Sequence, residues 1–329
     1  MLRTGVIGVG HLGRHHARVY SELGDCELVG VYDTDSARAS AVASELGSRA
    51  FDRLDDLIAE VNAVSIAVPT TDHHEVALAC MAGGLHVLIE KPIAVTVEQA
   101  TEIVESAEAR DLVVQVGHIE RFNPAIRAAM EILSSPMFIE AHRLAEFVPR
   151  GTDVAVVLDL MIHDIDLILA TVDSEVASIE AVGVPVLSPS IDIANARIGF
   201  RTGCIANVTA SRASREKVRK IRFFQHDAYI TVDCVAPKAE VFRRKDVPPE
   251  TLAAIASGEI KGGLSEIVDH EDLALDRTEP LMLELSSFLA AVRGDAPPVV
   301  SGRDGLRALS VVLEILEQTG GGAGAVGSG

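Results

Sequence analysis

The sequence predicts an α/β protein in two parts. A doubly wound parallel Rossmann sheet comes first, followed by a second α/β domain on a mainly antiparallel open sheet. Three observations predict this. Short apolar strands alternate with helices over the first third of the chain, as buried parallel strands joined by crossover helices do. The loop "GVIGVGHLG" at residues 5–13 follows the first strand and opens the first helix. Beyond residue 120, strand-like stretches follow one another across short turns, mostly with no helix between them, which calls for antiparallel pairing.

In the first part, "TGVIGV" is a strand and "HLGRHHARVYSEL" a helix; "CELVGVYD" and "SARASAVASELG" repeat the pair, with Gly47 closing the helix. "AVSIAV" and "HVLI" are further strands around the helical "DHHEVALACMAGG", and the helix "TVEQATEIVESAEARD" leads to the strand "LVVQVG". In the second part, "MFIEAHRLAEF", "EVASIEAVGV", "IANARIGF", "GCIANVTASR", "KVRKIRFFQ" and "AYITVD" read as strands. The exception among them is the helix "VAVVLDLMIHDIDLILATV", and helical stretches near 281–292 and 303–317 close the chain. The expected domains are residues 1–120 and 121–319. The terminal "GGGAGAVGSG", residues 320–329, has nothing to bury and is expected to be disordered.

Composition narrows the function. The 329 residues are 48% hydrophobic, enough for two cored domains. A net charge of −19 lacks the basic footprint of a nucleic-acid binder. No apolar run approaches the ~20 residues that span a bilayer. Arg3 leads straight into a strand without a leader-like apolar region, so secretion is not expected. Cys26, Cys80, Cys204 and Cys234 are scattered, the pattern of reduced thiols in a cytoplasmic protein.

On this scaffold Gly8, Gly10 and Gly13 complete a dinucleotide fingerprint, because Asp33 ends the next strand. Gly8 permits the turn, Gly10 lets backbone approach a pyrophosphate, and Gly13 lets helix pack on sheet; His11 and Leu12 complete the loop. Asp33 suits the ribose hydroxyls of NAD and would repel the 2′-phosphate of NADP. Arg38, one helical turn on, is the basic residue that could receive such a phosphate.

On the second-domain helix Asp159, His163 and Asp166 stand at i, i+4 and i+7 and should share one face, beside an apolar stripe of Leu158, Ile162, Ile165 and Leu169. Such a face suits a solvated edge, a metal site or an acid–base site. No nearby motif supplies further ligands, so no metal is expected. His11 and His15 share the spacing but sit on the loop helix; His73 and His74 open another helix, as caps or as exposed groups.

"GVGHLG", "AVPTTDHHEVALACMAGGLHVLIEKPIA" and the Asp-x-x-x-His helix together resemble the glucose–fructose oxidoreductase, inositol dehydrogenase and rhizopine-catabolism family over nearly the whole chain. The resemblance implies that Lys91 of "EKP" lines the active site with Asp159 and His163, where hydride moves between a sugar carbon and NAD. Glu90 and Pro92 frame the lysine, while Pro69, Thr70 and His73 match the family's strand-end loop at the cofactor. "VGHIERFNPA", "RGTDVAVVLDLMIHDIDLIL" and "SREKVRKIRFFQHDAYITVD" are similar to the branch of bacterial UDP-N-acetylglucosamine 3-dehydrogenases. These work with a pyridoxal-phosphate aminotransferase toward the diamino sugar of lipid A. Other sugars, an inositol, or a non-catalytic NAD-binding regulator are the alternatives, and the presence of Lys91, Asp159 and His163 together disfavours the regulator. The family assembles as homodimers or homotetramers through its second-domain sheets.

A histidine near pKa ~6.5 can take the hydroxyl proton of a secondary alcohol. His163 is therefore favoured as base, with Asp159 orienting the imidazole and Lys91 stabilising the alkoxide; Lys91 as base is the alternative. Arg121 suits the nucleotide diphosphate or a structural ion pair, while "NP" at Asn123 and Pro124 reads as a helix start. Arg150, with Arg143 and the run Lys217 through Arg222, offers further phosphate contacts or solvated strand edges.

Overall fold

The computed structural model describes residues 1–147, 155–257 and 266–320. Its first sheet has the order β3-β2-β1-β4-β5-β6, all parallel. The strands are β1 (Leu2–Ile7), β2 (Cys26–Tyr32), β3 (Arg49–Phe51), β4 (Ala63–Ile66), β5 (His86–Glu90) and β6 (Val114–Gly117). Helices α1 (His11–Glu22), α2 (Ser36–Leu46), α3 (Leu54–Ile58), α4 (Thr70–Ala82) and α5 (Val97–Glu108) make the crossovers. Strand order reverses between β1 and β4, so the carboxyl ends of these two strands open the crevice where ligands bind in such sheets. The short edge strand β3 and helix α3 had no counterpart in the sequence reading.

A 3₁₀ turn (Ile119–Phe122) and α6 (Pro124–Met130) lead to the second sheet. Asn123 caps α6 by accepting from the Ala125 N–H at 3.0 Å, with Pro124 in the first turn, as the sequence suggested. The sheet runs β14-β13-β12-β11-β7-β10-β9-β8. It comprises β7 (Phe138–Glu146), β8 (Val176–Val184), β9 (Ile193–Phe200), β10 (Ile205–Ser214), β11 (Val218–Phe224), β12 (Ala228–Asp233), β13 (Lys238–Arg244) and β14 (Val268–Asp272). All its pairings are antiparallel except β7 with β10. Helix α7 (Ile162–Thr171) lies against it, and α8 (Pro249–Ser257) precedes β14. On the outer face, the rings of Phe138, Phe224, Tyr229, Phe242 and His270 stack in a row across five strands.

The last two helices return to the first sheet. On α9 (Pro280–Arg293), Leu281, Leu285, Phe288 and Leu289 are buried with Val6, Ala17 and Tyr20. The chain then reaches α10 (Gly302–Gln318), which packs on α5 and α7 and starts in a capping box between Ser301 and Asp304. Ser301 also bridges to Gln115 of β6. Residues 280–318 therefore join both sheets, although the sequence places them only in the second part. Among the described residues, no helix is long and apolar enough to cross a membrane. Apart from Gly320, the terminal tail lies outside the described residues.

Candidate active site

The glycine loop is built as a phosphate cradle. Gly8 adopts φ +81°, and a side chain there would meet the Ala67 carbonyl. A Cβ on Gly13 would fall 1.8 Å from the Gly8 carbonyl oxygen, so any other residue would push α1 off the loop. Gly10 faces open space, caps α1 without a side-chain bond, and is followed by a first turn with no acid. The free N–H groups and helix dipole thus point at an unobstructed anion site. Asp33 accepts from the Val9 N–H at 2.8 Å and from the Asp35 N–H at 2.9 Å, and the Arg38 guanidinium lies 3.3 Å from both its oxygens. His11 and Leu12 are exposed beside this cradle, and the His11 ring meets only His15 edge-on. These residues fit a dinucleotide.

Pro69 and Thr70 start α4 beyond the end of β4. His73, expected at the cofactor, is buried: Nδ1 lies 2.9 Å from the Pro92 carbonyl and Nε2 3.0 Å from the Val68 carbonyl. Burial lowers its pKa, and the neutral ring donates to one carbonyl at a time. His73 therefore ties the two strand-end loops together.

Lys91 follows the carboxyl end of β5. Its Nζ donates to the Asp159 carbonyl at 2.9 Å and lies 3.3 Å from the Asp159 carboxylate. Asp159 stands in a π-helical turn, Val157–Met161, that precedes α7; such turns recur at functional sites. Asp159 is half exposed and holds Lys91, making no bond to the imidazole it was expected to orient. Asp166, expected on the same face, is buried in its pair with Arg121. The predicted stripe of Leu158, Ile162, Ile165 and Leu169 is buried as expected.

His163 is part-buried, and its Nδ1 is buried with no hydrogen-bond partner among the described residues. Burial, then the positive charges of Lys91 and Arg143, hold its pKa well below the usual imidazole value. The ring is thus neutral near pH 7, as a proton acceptor must be.

Two arginines for which phosphate contact was one of the readings are engaged by carboxylates, and for Arg121 this is the structural ion pair that was the other reading. Arg121 clasps Asp166 with Nε at 2.6 Å and Nη2 at 2.9 Å, both groups buried. Arg143 is 2% exposed and bonds both oxygens of Asp164, at 2.9 and 2.8 Å, and Glu120 at 2.8 Å. These fork geometries lock the 3₁₀ turn and β7 to α7. Arg219 reaches Glu120, Lys220 pairs with Asp233 and Arg222 with Glu140, so these side chains serve the sheet. Arg150 lies outside the described residues.

Residues 2–118 match the model of an oxidoreductase family with an NAD-binding Rossmann fold. The UDP-N-acetylglucosamine 3-dehydrogenase of Acidithiobacillus ferrooxidans is 40% identical over 95% of this chain and 96% of its own. The chain belongs to the glucose–fructose oxidoreductase, inositol dehydrogenase and rhizopine-catabolism family. A solved structure of the Acidithiobacillus enzyme superposes with a TM-score of 0.88 at 38% identity, covering 96% of this chain and 97% of that one. An inositol 2-dehydrogenase of Saccharopolyspora erythraea is 37% identical over 50% of this chain and 52% of its own.

In this member of the family, three buried polar groups behind Lys91 went unassigned in the sequence. His118 is 1% exposed and neither ring nitrogen has a partner; its ring meets His163 edge-to-face, centroids 6.4 Å apart. Glu284 on α9 is fully buried with both carboxyl oxygens unpartnered. His16 places Nε2 2.9 Å from Glu90 Oε1, and its buried Nδ1 has no partner. Burial alone would raise the Glu90 pKa, but the His16 hydrogen bond and charge, with Lys91, bring it below the usual value. Burial, then the negative charges of Glu90 and Asp166, push the Glu284 pKa well up. A signal for Glu284 was present: with Leu281, Leu285 and Phe288 it falls on the apolar face of its helix.

Proposed function

We propose that the protein oxidises the C3 hydroxyl of UDP-N-acetylglucosamine to the 3-keto sugar with NAD. The carrying observation is the 40% identity to a UDP-N-acetylglucosamine 3-dehydrogenase across 95% of the chain. It is supported by the Lys91–Asp159 pair and His163 beyond the cofactor cradle.

We assign the loop Gly8, Gly10, His11, Leu12 and Gly13, with Asp33, Pro69, Thr70, Glu90, Lys91 and Pro92, to holding NAD. When bound, NAD supplies the hydride acceptor. The ion pair with Asp159 makes Lys91 a donor aimed at the reacting oxygen, where its charge stabilises the developing alkoxide. The neutral His163 takes the hydroxyl proton. Asp159 acts through Lys91, fixing its ammonium by two contacts. The assigned setting is the cytoplasm, as a homodimer or homotetramer built on the ring-stacked outer face of the second sheet.

A ketone beside the C2 acetamido carbon is reactive, and alcohol oxidation by NAD near neutrality favours the alcohol. The enzyme alone should thus form little NADH. Glutamate and a pyridoxal-phosphate sugar aminotransferase, the proposed downstream partner, should draw the reaction on to a 3-amino product detected by mass. UDP-glucose should react poorly, because groups that bond the acetamide would be left unpaired. No amino sugar, with free turnover of UDP-glucose or an inositol, would overturn the substrate assignment. The half-chain match to an inositol dehydrogenase makes inositol the second substrate to try.

A further inference from the structure

Among the described residues, the buried side-chain atoms without a hydrogen-bond partner belong to His16, His118, His163 and Glu284, with Ser48 the only other residue. An unpartnered buried polar group costs about 1–3 kcal/mol, so several grouped behind one lysine call for a functional reason. They are also connected. His118 packs on His163. Gly117, directly before His118, pairs with Glu90 across β5 and β6, and a Cβ there would stand 3.0 Å from Glu90 Oε2. The other Glu90 oxygen meets His16.

We propose that His118 is a positioning residue that relays the proton released by the oxidation from His163 to the buried Glu90–His16 pair. The inference rests on His163 as the base. The sugar O–H breaks as a proton joins His163 Nε2, and the proton on Nδ1 leaves, so the ring ends neutral in its other tautomer. The two rings share no hydrogen bond, so one bridging water carries the proton to His118. No His118 nitrogen bonds Glu90 directly, so His118 gains the proton on one nitrogen and releases one from the other to a second bridging water, which passes a proton to Glu90, where it is shared with His16 Nε2. One proton leaves the substrate and one arrives at the pair.

The charges facing these rings come from every side. Lys91, Arg143 and Arg219 act on His163; Asp166, Arg121, Lys91 and Glu90 act on His118. Asp159 stands beside Lys91. Among the described residues no carboxylate or ammonium bonds either nitrogen of His118 or Nδ1 of His163, which leaves each of these free to exchange a proton.

The test uses the full-length protein and whichever sugar or inositol it oxidises, so failure of UDP-N-acetylglucosamine as substrate is read separately from failure of the relay. His118→Phe keeps a ring and removes both nitrogens. It should lower kcat about tenfold or more near neutral pH, with the loss shrinking toward pH ~9, where hydroxide takes the proton; KM should stay within about twofold. In His118→Ala, added imidazole should restore turnover. A readout without turnover is the ring ¹⁵N resonance of His163 in the NAD-saturated protein, whose titration midpoint should rise in His118→Phe. Unchanged kcat, a loss equal at every pH without imidazole rescue, or an unmoved His163 midpoint would each overturn the relay.

Discussion

Two sets of buried polar groups lie close to one another around the 3₁₀ turn and α7, and they are built on opposite principles. Around Arg143 and Arg121 each guanidinium is met by carboxylates, with contacts of 2.6 to 2.9 Å. Around His118 and Glu284 no side-chain nitrogen or oxygen is met at all. The first set has no capacity left for a ligand and serves as a clamp between the 3₁₀ turn, β7 and α7. The second has its whole hydrogen-bonding capacity free, at a standing cost to stability. Charge and burial alone therefore do not mark a functional group; what distinguishes it is a bond not yet made.

That contrast can be broken most directly at Arg143. Arg143→Ala strands Asp164 and Glu120 without their main partner in the interior, and should cost about 3–5 kcal/mol, measured by urea denaturation. A loss below about 1 kcal/mol, the level of an exposed pair, would mean that the clamp is ornamental.

On the catalytic side the pattern should invert. Lys91→Ala and His163→Ala should each cut turnover by about 10²-fold or more, while the denaturation midpoint stays near wild type in both and NAD binding survives in His163→Ala. Asp159→Asn should cost less than either, since the Asp159 carbonyl still holds Lys91. Because His163 titrates well below 6.5, the acid limb of kcat/KM should also lie well below that pH. An acid limb at or above 6.5 would hand the role of base to another group.

The smallest effect sharpens the comparison through stability. The folded-state pKa of Glu284 is raised, so the fold binds more protons there than the unfolded chain does. Its contribution is intact below the ordinary carboxyl value of about 4.3 and is lost as pH climbs toward the folded value. Glu284→Gln removes this slope, so the variant should gain on the wild type as pH rises from about 4 to 8. Parallel stability curves across that range would show that Glu284 is already paired.

Much of this was legible in the sequence because it is local. The turn at Gly8, the close approach at Gly13 and the carboxylate at Asp33 depend on residues within one βαβ unit, and the spacing alone carries them. The pairing of Asp159 with Lys91, and not with His163, was not legible, because Lys91 is brought to it from the end of β5 only by the meeting of two distant segments. The fate of Arg121 turned on Asp166, a partner brought to it only by the meeting of two elements. Glu284 was hidden for the same reason, since helix α9 belongs by sequence to the far end of the chain and by packing to the first sheet.

That return has a consequence for how the protein comes into being. The strands of the first sheet are complete at β6, but α9, which covers it, is made only after the whole second sheet. At ~5–20 residues per second, the Val6, Ala17 and Tyr20 surface waits roughly 10–40 s after β6 is made before its cover arrives. The first sheet is thus finished only after the second has been made, and the nascent chain must keep an apolar face sheltered throughout the synthesis of β7 to β14.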